Sequence, residues 1–245
     1  MTNSVVPLWN PMRLLSALLS RSFLGTSLLG ALLFVGIAAP ARAAEHILDL
    51  YFHNRVEMHA YGADTNAVSL VLRNKTANPI QVLMPAGLYF VAPNKMIQTM
   101  VSTSNVQLDL AARQEMTVSL PAASTNIGAK KAGSDSRFSI RGATGQRDLE
   151  KLIPAMQRAA ATYPVNQAAV WILTEDASYE QLGTLKSGPD VLATRIIGQA
   201  DVARALRILS DAGIDVRNRA VWRDRAQLAA SVENTELASW LRTFQ

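Results

Sequence analysis

The chain has no cysteine in its 245 residues. This absence excludes disulfides, thiolate metal centres, iron–sulfur clusters and cysteine nucleophiles. After residue 43 the sequence also lacks G-x-S-x-G, H-E-x-x-H and the phosphate-binding G-x-x-x-x-G-K-[ST]. Each of these motifs carries a defined catalytic or binding mechanism. We therefore expect a protein that is not an enzyme.

A strong excess of one charge is also missing. The formal net charge is +5, from 24 basic and 19 acidic residues. Arg13, Arg21 and Arg42 lie in the first 43 positions, where there is no acid, so the remaining chain is nearly balanced. This balance does not fit the basic surface of a nucleic-acid-binding domain. A hydrophobic fraction of 49% excludes a disordered chain. We expect a folded protein with no nucleic-acid partner.

The N-terminus carries the clearest signal in the sequence. Ser22–Ile37 is an uncharged, apolar run, and the small residues Ala41 and Ala43 follow it. This pattern is typical of a signal peptide over residues 1–43, cleaved between Ala43 and Ala44. An uncleaved anchor is the alternative, but a spanning helix needs about 20 apolar residues. We expect a periplasmic or secreted protein with no stable membrane insertion after cleavage.

Residues 44–143 have the pattern of a β domain. In Tyr51–Tyr61, apolar and polar residues alternate, with Phe52 and Val56 on one face and His53 and His59 on the other. A period of two predicts a half-buried strand. Further strands are predicted at Val68–Asn74, Ile80–Met84, Leu88–Val91, Met96–Val101, Val106–Leu110, Met116–Leu120 and Phe138–Ile140. Seven or eight short strands between turns indicate an immunoglobulin-like antiparallel β-sandwich.

Residues 147–245 have the period of α-helices. Apolar residues recur every three to four positions, which is typical of helices with one buried face. The predicted helices cover Leu149–Tyr163, Val165–Thr174, a short segment from Ser178, Asp201–Ala212, Trp222–Ser231 and Asn234–Thr243. The fold class expected is therefore α+β, with an N-terminal β-sandwich followed by a C-terminal α-helical domain.

The histidines raise the question of a metal site. His53 and His59 are six residues apart on one predicted strand, about 20 Å at 3.3 Å per residue, which is too far to share a metal. His46 differs, because cleavage after Ala43 would make it the third residue of the mature chain. The amino group of Ala44, the amides of Glu45 and His46 and the His46 imidazole would then form a square-planar set suited to Cu(II) or Ni(II). No other cofactor is indicated.

A basic and aromatic cluster near the C-terminus is the second candidate site. Arginine side chains there could bind phosphate, an acidic polysaccharide or a partner's carboxylate. Nearby aspartates allow the alternative of a salt-bridged surface. The cluster consists of Arg217, Arg219, Trp222, Arg223 and Arg225.

Parts of the chain resemble known families. The first half, with Leu72-x-Asn74, Val82-x-x-Pro85-Ala-Gly87 and Phe90, resembles secreted bacterial proteins of unassigned role, in which a sandwich precedes a segment like Tyr163-Pro-x-x-Gln167-Ala-Ala-Val170-Trp171. That segment is also similar to the glutamine motif of internal-thioester surface adhesins, which implies an adhesin-like or scaffolding role. In those adhesins the glutamine is bonded to a cysteine, a bond that Gln167 cannot form here. Leu209–Val216 resembles the loop leaving an ankyrin repeat, but one partial repeat cannot build a solenoid.

These observations favour an exported, non-catalytic protein that binds a protein or an envelope polymer. A periplasmic Cu- or Ni-binding protein acting through Ala44, Glu45 and His46 is the first alternative. A hydrolase with an unrecognised carboxylate site is the second, because glycosidase chemistry by two carboxylates has no fixed spacing in sequence. Glu175 and Asp176 lie at a predicted helix junction, where we expect them to cap a helix.

Overall fold

The computed structural model describes residues 43–189 and 192–244. Helices and strands occupy the following segments. The α-helices are α1 (Ile47–Phe52), α2 (Arg147–Arg158), α3 (Tyr163–Glu175), α4 (Tyr179–Leu182), α5 (Gln199–Asp211), α6 (Arg225–Ser231) and α7 (Thr235–Thr243), with a 3₁₀ helix at Ala220–Asp224. The strands are β1 (Glu45–His46), β2 (Val56–Asp64), β3 (Ala67–Asn74), β4 (Ile80–Met84), β5 (Tyr89–Val91), β6 (Met100–Ser102), β7 (Val106–Leu110), β8 (Glu115–Ser124), β9 (Arg137–Arg141), β10 (Lys186–Ser187) and β11 (Thr194–Arg195).

Six antiparallel strands close into a barrel in the order β2-β3-β8-β6-β5-β9, with β9 returning to β2. The alternation predicted for β2 is present: Val56, Met58 and Ala60 are buried, while Glu57 and His59 are half-buried. Because successive side chains of a strand point to opposite faces, this pattern places one apolar face inside the barrel. The barrel interior is therefore the first hydrophobic core.

The closed barrel corrects the predicted fold class. The fold is mixed α+β, but it is not an immunoglobulin-like sandwich followed by a helical domain. Alternation in sequence shows which face of a strand is buried, and it is the same in a sandwich and a barrel. Closure depends on the pairing of β2 with β9, two strands far apart in sequence.

A second sheet, in the order β1-β4-β7, contributes to the same core as the barrel. β1 runs parallel to β4, with Glu45 opposite Val82, and β4 is antiparallel to β7. Ile80, Val82 and Met84 alternate with partly exposed residues and are buried. The sheet thus ties the first described residues of the chain to the folded body.

The structure also corrects the start of the first predicted strand. The segment predicted as a strand over Tyr51–Tyr61 begins in helix α1, and β2 starts only at Val56. His46 caps α1, since its Nδ1 accepts a hydrogen bond from the Leu48 N–H at 3.2 Å. A turn through Asn54, which has a positive φ of 56°, separates α1 from β2. His53 consequently lies at the end of a helix and not on a strand.

Several helix ends predicted from sequence are confirmed. Ser178 and Gln181 form a capping box, in which each side chain accepts a hydrogen bond from the other residue's backbone N–H. Asn234 caps α7 by accepting from the Leu237 N–H at 2.8 Å. Gly213 follows α5 with a positive φ of 76°, a conformation that glycine adopts without strain.

The helical layer and the barrel are joined by buried contacts. Val101 of β6 and Ala123 of β8 belong to the same apolar cluster as Leu149 and Trp171 of the helices. The described residues form one compact unit. The boundary predicted between residues 44–143 and 147–245 follows the change from strands to helices, and its division into two separate domains stays a prediction.

Polar contacts reinforce this junction. The side chain of Gln167, which is fully buried, accepts from the Ser124 N–H at 2.9 Å and donates to the Ser124 carbonyl at 2.8 Å. Tyr163 donates its hydroxyl proton to the Thr65 carbonyl at 3.1 Å. The first two turns of α3 are therefore hydrogen-bonded to two places, Ser124 on β8 and Thr65 in the β2–β3 turn.

No helix in residues 43–189 and 192–244 is long and apolar enough to cross a membrane. The predicted signal peptide over residues 1–43 lies, except for Ala43, outside the described residues.

Candidate functional site

The barrel is incompletely closed between β2 and β9. The two strands pair only at Ala60–Phe138 and Tyr61–Arg137. At the start of β2, residues 56–59 pair with β3 alone, and at the end of β9, residues 139–141 pair with β5 alone. We call the two unpaired edges, 56–59 and 139–141, the β2–β9 seam. An unpaired strand edge offers backbone N–H and C=O groups to another chain.

Helix α1 lies beside the seam and exposes two aromatic rings. Leu48 reaches the end of β9, because a Cβ added to Gly142 would lie 2.7 Å from its Cδ1. Tyr51 and Phe52 retain 46% and 76% of their surface in contact with solvent. Their rings contact each other edge to face, with centroids 5.8 Å apart. Adjacent exposed aromatic rings on an ordered helix are typical of binding surfaces.

Two neighbouring cavities, of about 470 Å³ and 550 Å³, lie along this surface. Both are lined by Tyr51, Phe52, Met58, His59 and Arg137. Binding sites for small molecules usually have volumes of about 300–1,000 Å³. The combination of an aromatic wall and an open strand edge makes the seam the candidate functional site.

Polar groups at the seam centre on His59. Its Nε2 lies 3.1 Å from Oε1 of Glu57, and its Nδ1 lies 2.6 Å from Nη2 of Arg137. A guanidinium only donates, so Nδ1 is the acceptor and the proton sits on Nε2, which donates to Glu57. Both nitrogens of the ring are therefore hydrogen-bonded to neighbouring side chains.

The predicted metal-binding residues have other contacts in the structure. The Glu45 carboxylate forms two hydrogen bonds with the Arg55 guanidinium, one of them at 3.0 Å. Nδ1 of His46, the imidazole atom that a square-planar site would use, accepts the Leu48 N–H. Copper or nickel would have to displace this cap. In the described residues, no group of three or more His, Asp or Glu side chains is placed to hold a metal ion. Binding through Ala44, Glu45 and His46 stays a prediction.

The structure places the residues of the predicted basic cluster in different surroundings. Trp222 is 6% exposed and packs against Trp240 and Phe244, with ring centroids 5.7 Å and 5.9 Å away. Arg225 stacks beside the Trp222 ring, its Cζ 5.5 Å from the centroid. Trp222 is thus part of the hydrophobic core.

The other arginines of the cluster have different surroundings. Arg217 is bound to Asp215 by two hydrogen bonds of 2.9 Å and 3.2 Å, which lower the pKa of the Asp215 carboxyl and raise the pKa of Arg217. Arg219 donates to the Leu173 carbonyl at 3.4 Å. Arg223 is exposed. Ligand binding by these groups stays a prediction.

The adjacent carboxylates Glu175 and Asp176 lie at the end of α3, where the sequence predicts a capping role. Asp176 adopts a left-handed backbone conformation after α3, and its Oδ1 accepts the Ala220 N–H at 2.9 Å. This contact fixes the start of the 3₁₀ helix. Asp176 therefore has a capping role, whereas Glu175 ends α3.

Sequence reasoning missed Tyr51, Phe52 and Arg137 as site residues. Phe52 was expected on the buried face of a strand, because the alternation from Tyr51 onward was continued across the helix–strand boundary. A signal for the boundary was present in Asn54, a residue that favours the left-handed conformation of turns.

Comparisons with known proteins found no family model, no curated protein and no solved structure that matches this chain. The resemblances to thioester adhesins and to an ankyrin repeat stay predictions.

Proposed function

We propose that the protein is an exported, non-catalytic binding protein that holds an extended segment of a partner protein in the β2–β9 seam. The observation that carries the proposal is the exposed pair Tyr51 and Phe52 beside two unpaired strand edges. A peptide in extended conformation can add a strand to such an edge through main-chain hydrogen bonds.

The chemistry of the seam indicates the kind of segment. Phe52 and Tyr51 offer an apolar wall, so an apolar side chain of the partner would be buried against them. Within the described residues the hydrogen-bond partner of the Arg137 guanidinium is the His59 imidazole and not a carboxylate, which leaves the charge of Arg137 available to a carboxylate of the partner. The expected partner segment is extended, with an apolar residue near an acidic one.

Export is the part of the proposal that rests on the sequence. The apolar run Ser22–Ile37 and the small residues before Ala44 support a cleaved signal peptide. A partner in the periplasm or outside the cell follows from this location.

Site-specific crosslinking tests the proposal. A photoreactive phenylalanine analogue is placed at position 52 and, as a control, at position 192, since Leu192 is also 76% exposed but lines neither cavity of the seam. Crosslinked partners from envelope extract are sequenced, and the crosslinked segment is synthesised as a peptide. We expect position 52 to label one extended segment that position 192 does not label.

Binding of the synthetic peptide then measures the contribution of the seam. Full burial of a phenylalanine contributes about 1.5–3 kcal/mol, so Phe52→Ser should weaken binding by about 10- to 100-fold. Leu192→Ser should leave the affinity unchanged. Equal labelling at both positions, or equal affinity of the Phe52→Ser and Leu192→Ser variants, contradicts the proposal.

A further inference from the structure

The two edges of the β2–β9 seam differ in how easily another chain can reach them. Val56 and Met58 of β2 are only 1% and 5% exposed. Residues 139–141 of β9 are exposed or half-buried. An unpaired strand edge binds another chain only where that chain can reach its backbone groups. A partner segment that comes from outside therefore meets the edge of β9 first.

The accessible edge of β9 is short and is bounded at both ends. At one end, Phe138 is already paired with β2. At the other end, Leu48 of α1 lies against Gly142. The three residues between these boundaries span about 10 Å at 3.3 Å per residue, whereas strands usually have about 5–6 residues. An internal segment would have to enter and leave within this length, but the end of a chain needs only to enter.

The direction of β9 indicates which end of a chain fits. β9 begins at Arg137, beside its pairs with β2, and ends at Arg141. Antiparallel pairing is slightly more stable per residue than parallel pairing. A segment antiparallel to β9 enters beside Arg141, and its C-terminus lies beside Arg137.

The charge at the closed end of the seam favours the same chain end. Nη2 of Arg137 lies 2.6 Å from Nδ1 of His59, so the guanidinium is held in place by a group other than a carboxylate. Apart from these two residues, the charged side chains lining the two cavities are Glu57, which contacts His59, and Lys75. An N-terminal ammonium would meet a guanidinium of like charge, whereas an α-carboxylate would accept charge-assisted hydrogen bonds from it.

We propose that the seam binds the free C-terminus of a partner protein, with the last few residues extended antiparallel to β9 and the α-carboxylate bound by Arg137. Tyr51 and Phe52 line the same two cavities as Arg137, so the terminal side chain is apolar and packs against their rings. This inference rests on the proposed function and narrows the partner from any extended segment to the end of a chain. The α-carboxylate supplies the acidic group expected next to the apolar residue.

Selection from two peptide libraries tests the proposal. Random hexapeptides are displayed on phage with a free C-terminus in one library, and followed by a Gly-Ser linker in the other. We expect the immobilised protein to enrich sequences with an apolar last residue from the first library only. One enriched sequence is then synthesised as the free acid and as the C-terminal amide. The amide should bind about tenfold or more weakly than the acid.

Two variants locate the carboxylate. Arg137→Gln keeps a donor for His59 but removes the charge, so it should abolish the difference in affinity between acid and amide while leaving the affinity of the amide unchanged. Arg141→Gln is the matched control, because Arg141 is also exposed and lies on the same face of β9. The two residues are about 13 Å apart along the strand, farther than the screening length of about 8 Å at physiological ionic strength. Arg141→Gln should therefore retain the difference between acid and amide.

The outcomes separate this inference from the proposed function. Equal enrichment from both libraries, or equal affinity of acid and amide, overturns the C-terminal inference. If Phe52→Ser still weakens binding in that case, the seam remains a site for an internal segment. A difference between acid and amide that persists in Arg137→Gln also overturns the inference, because another group then binds the carboxylate. Enrichment from neither library overturns both the inference and the partner site at the seam.

Discussion

Replacing Gln167 by leucine perturbs the hydrogen bonds that connect the helical layer to the barrel. The Gln167 amide bonds both the N–H and the carbonyl of Ser124, and both residues are fully buried. β3 pairs with β8 only as far as Pro121. The Gln167 amide therefore continues the ladder beyond the end of β3 and acts as a substitute for a peptide group of a neighbouring strand.

The magnitude follows from the two backbone groups that the substitution leaves buried. Each unsatisfied group costs about 1–3 kcal/mol, and the added apolar burial of leucine offsets part of this loss. We expect Gln167→Leu to lower the free energy of unfolding by about 2–4 kcal/mol. For a protein of this size that is a fall in Tm of about 4–16 °C.

Thermal and urea denaturation followed by circular dichroism measure the effect. Gln157→Leu on α2 is the matched control, because its partly exposed side chain forms no hydrogen bond within the described residues. A surface substitution of this kind should change stability by less than about 0.5 kcal/mol. A Gln167→Leu variant as stable as the Gln157→Leu variant would refute the reasoning.

Three further predictions concern other contacts. Burial raises the pKa of Tyr163, so the folded state holds this proton more tightly than the unfolded state, and the free energy of unfolding should fall as the pH rises above about 10. Tyr163→Phe should lower the free energy of unfolding by about 0.5–1.5 kcal/mol at neutral pH and abolish the most alkaline tyrosinate transition in ultraviolet titration. An unchanged titration curve contradicts this prediction. Copper added to protein processed after Ala43 should produce a visible absorption band that is absent in the His46→Ala variant. The same substitution removes the cap of α1 and should lower the free energy of unfolding by about 0.5–2 kcal/mol. Equal copper uptake by the wild type and the variant excludes the site. A Cβ at Gly62 would lie 2.3 Å from the Ala132 carbonyl oxygen. Gly62→Ala should therefore destabilise the protein by about 1–3 kcal/mol in urea denaturation. A Gly62→Ala variant as stable as the wild type would show that the backbone at Ala132 can move to accommodate the methyl group.

Much of the local structure could be predicted from sequence, because local structure depends on neighbours. β4 and β7 have the predicted bounds, Ile80–Met84 and Val106–Leu110. Ser178 and Asn234 cap their helices as expected, since a cap needs only a side chain and a backbone N–H three residues away.

The arrangement of these elements depends on contacts that sequence patterns do not contain. The same alternating strands could have formed a sandwich. The Ala60–Phe138 pair closes the barrel, and no local sequence pattern signals this pairing. The candidate site was missed for the same reason. Phe52 is an apolar residue beside an alternating run, and only the turn at Asn54 moves it from the expected core to the surface.

The short pairing of β2 with β9 also has a consequence for motion. Local opening of a protein starts where few hydrogen bonds hold an element in place. Amide protons of residues 56–59 that point toward β9 should therefore exchange with deuterium earlier than those of β3, which is paired on both sides. An added strand would protect these amides, so that occupancy of the seam would be recorded as slowed isotope exchange and as a rise in overall stability.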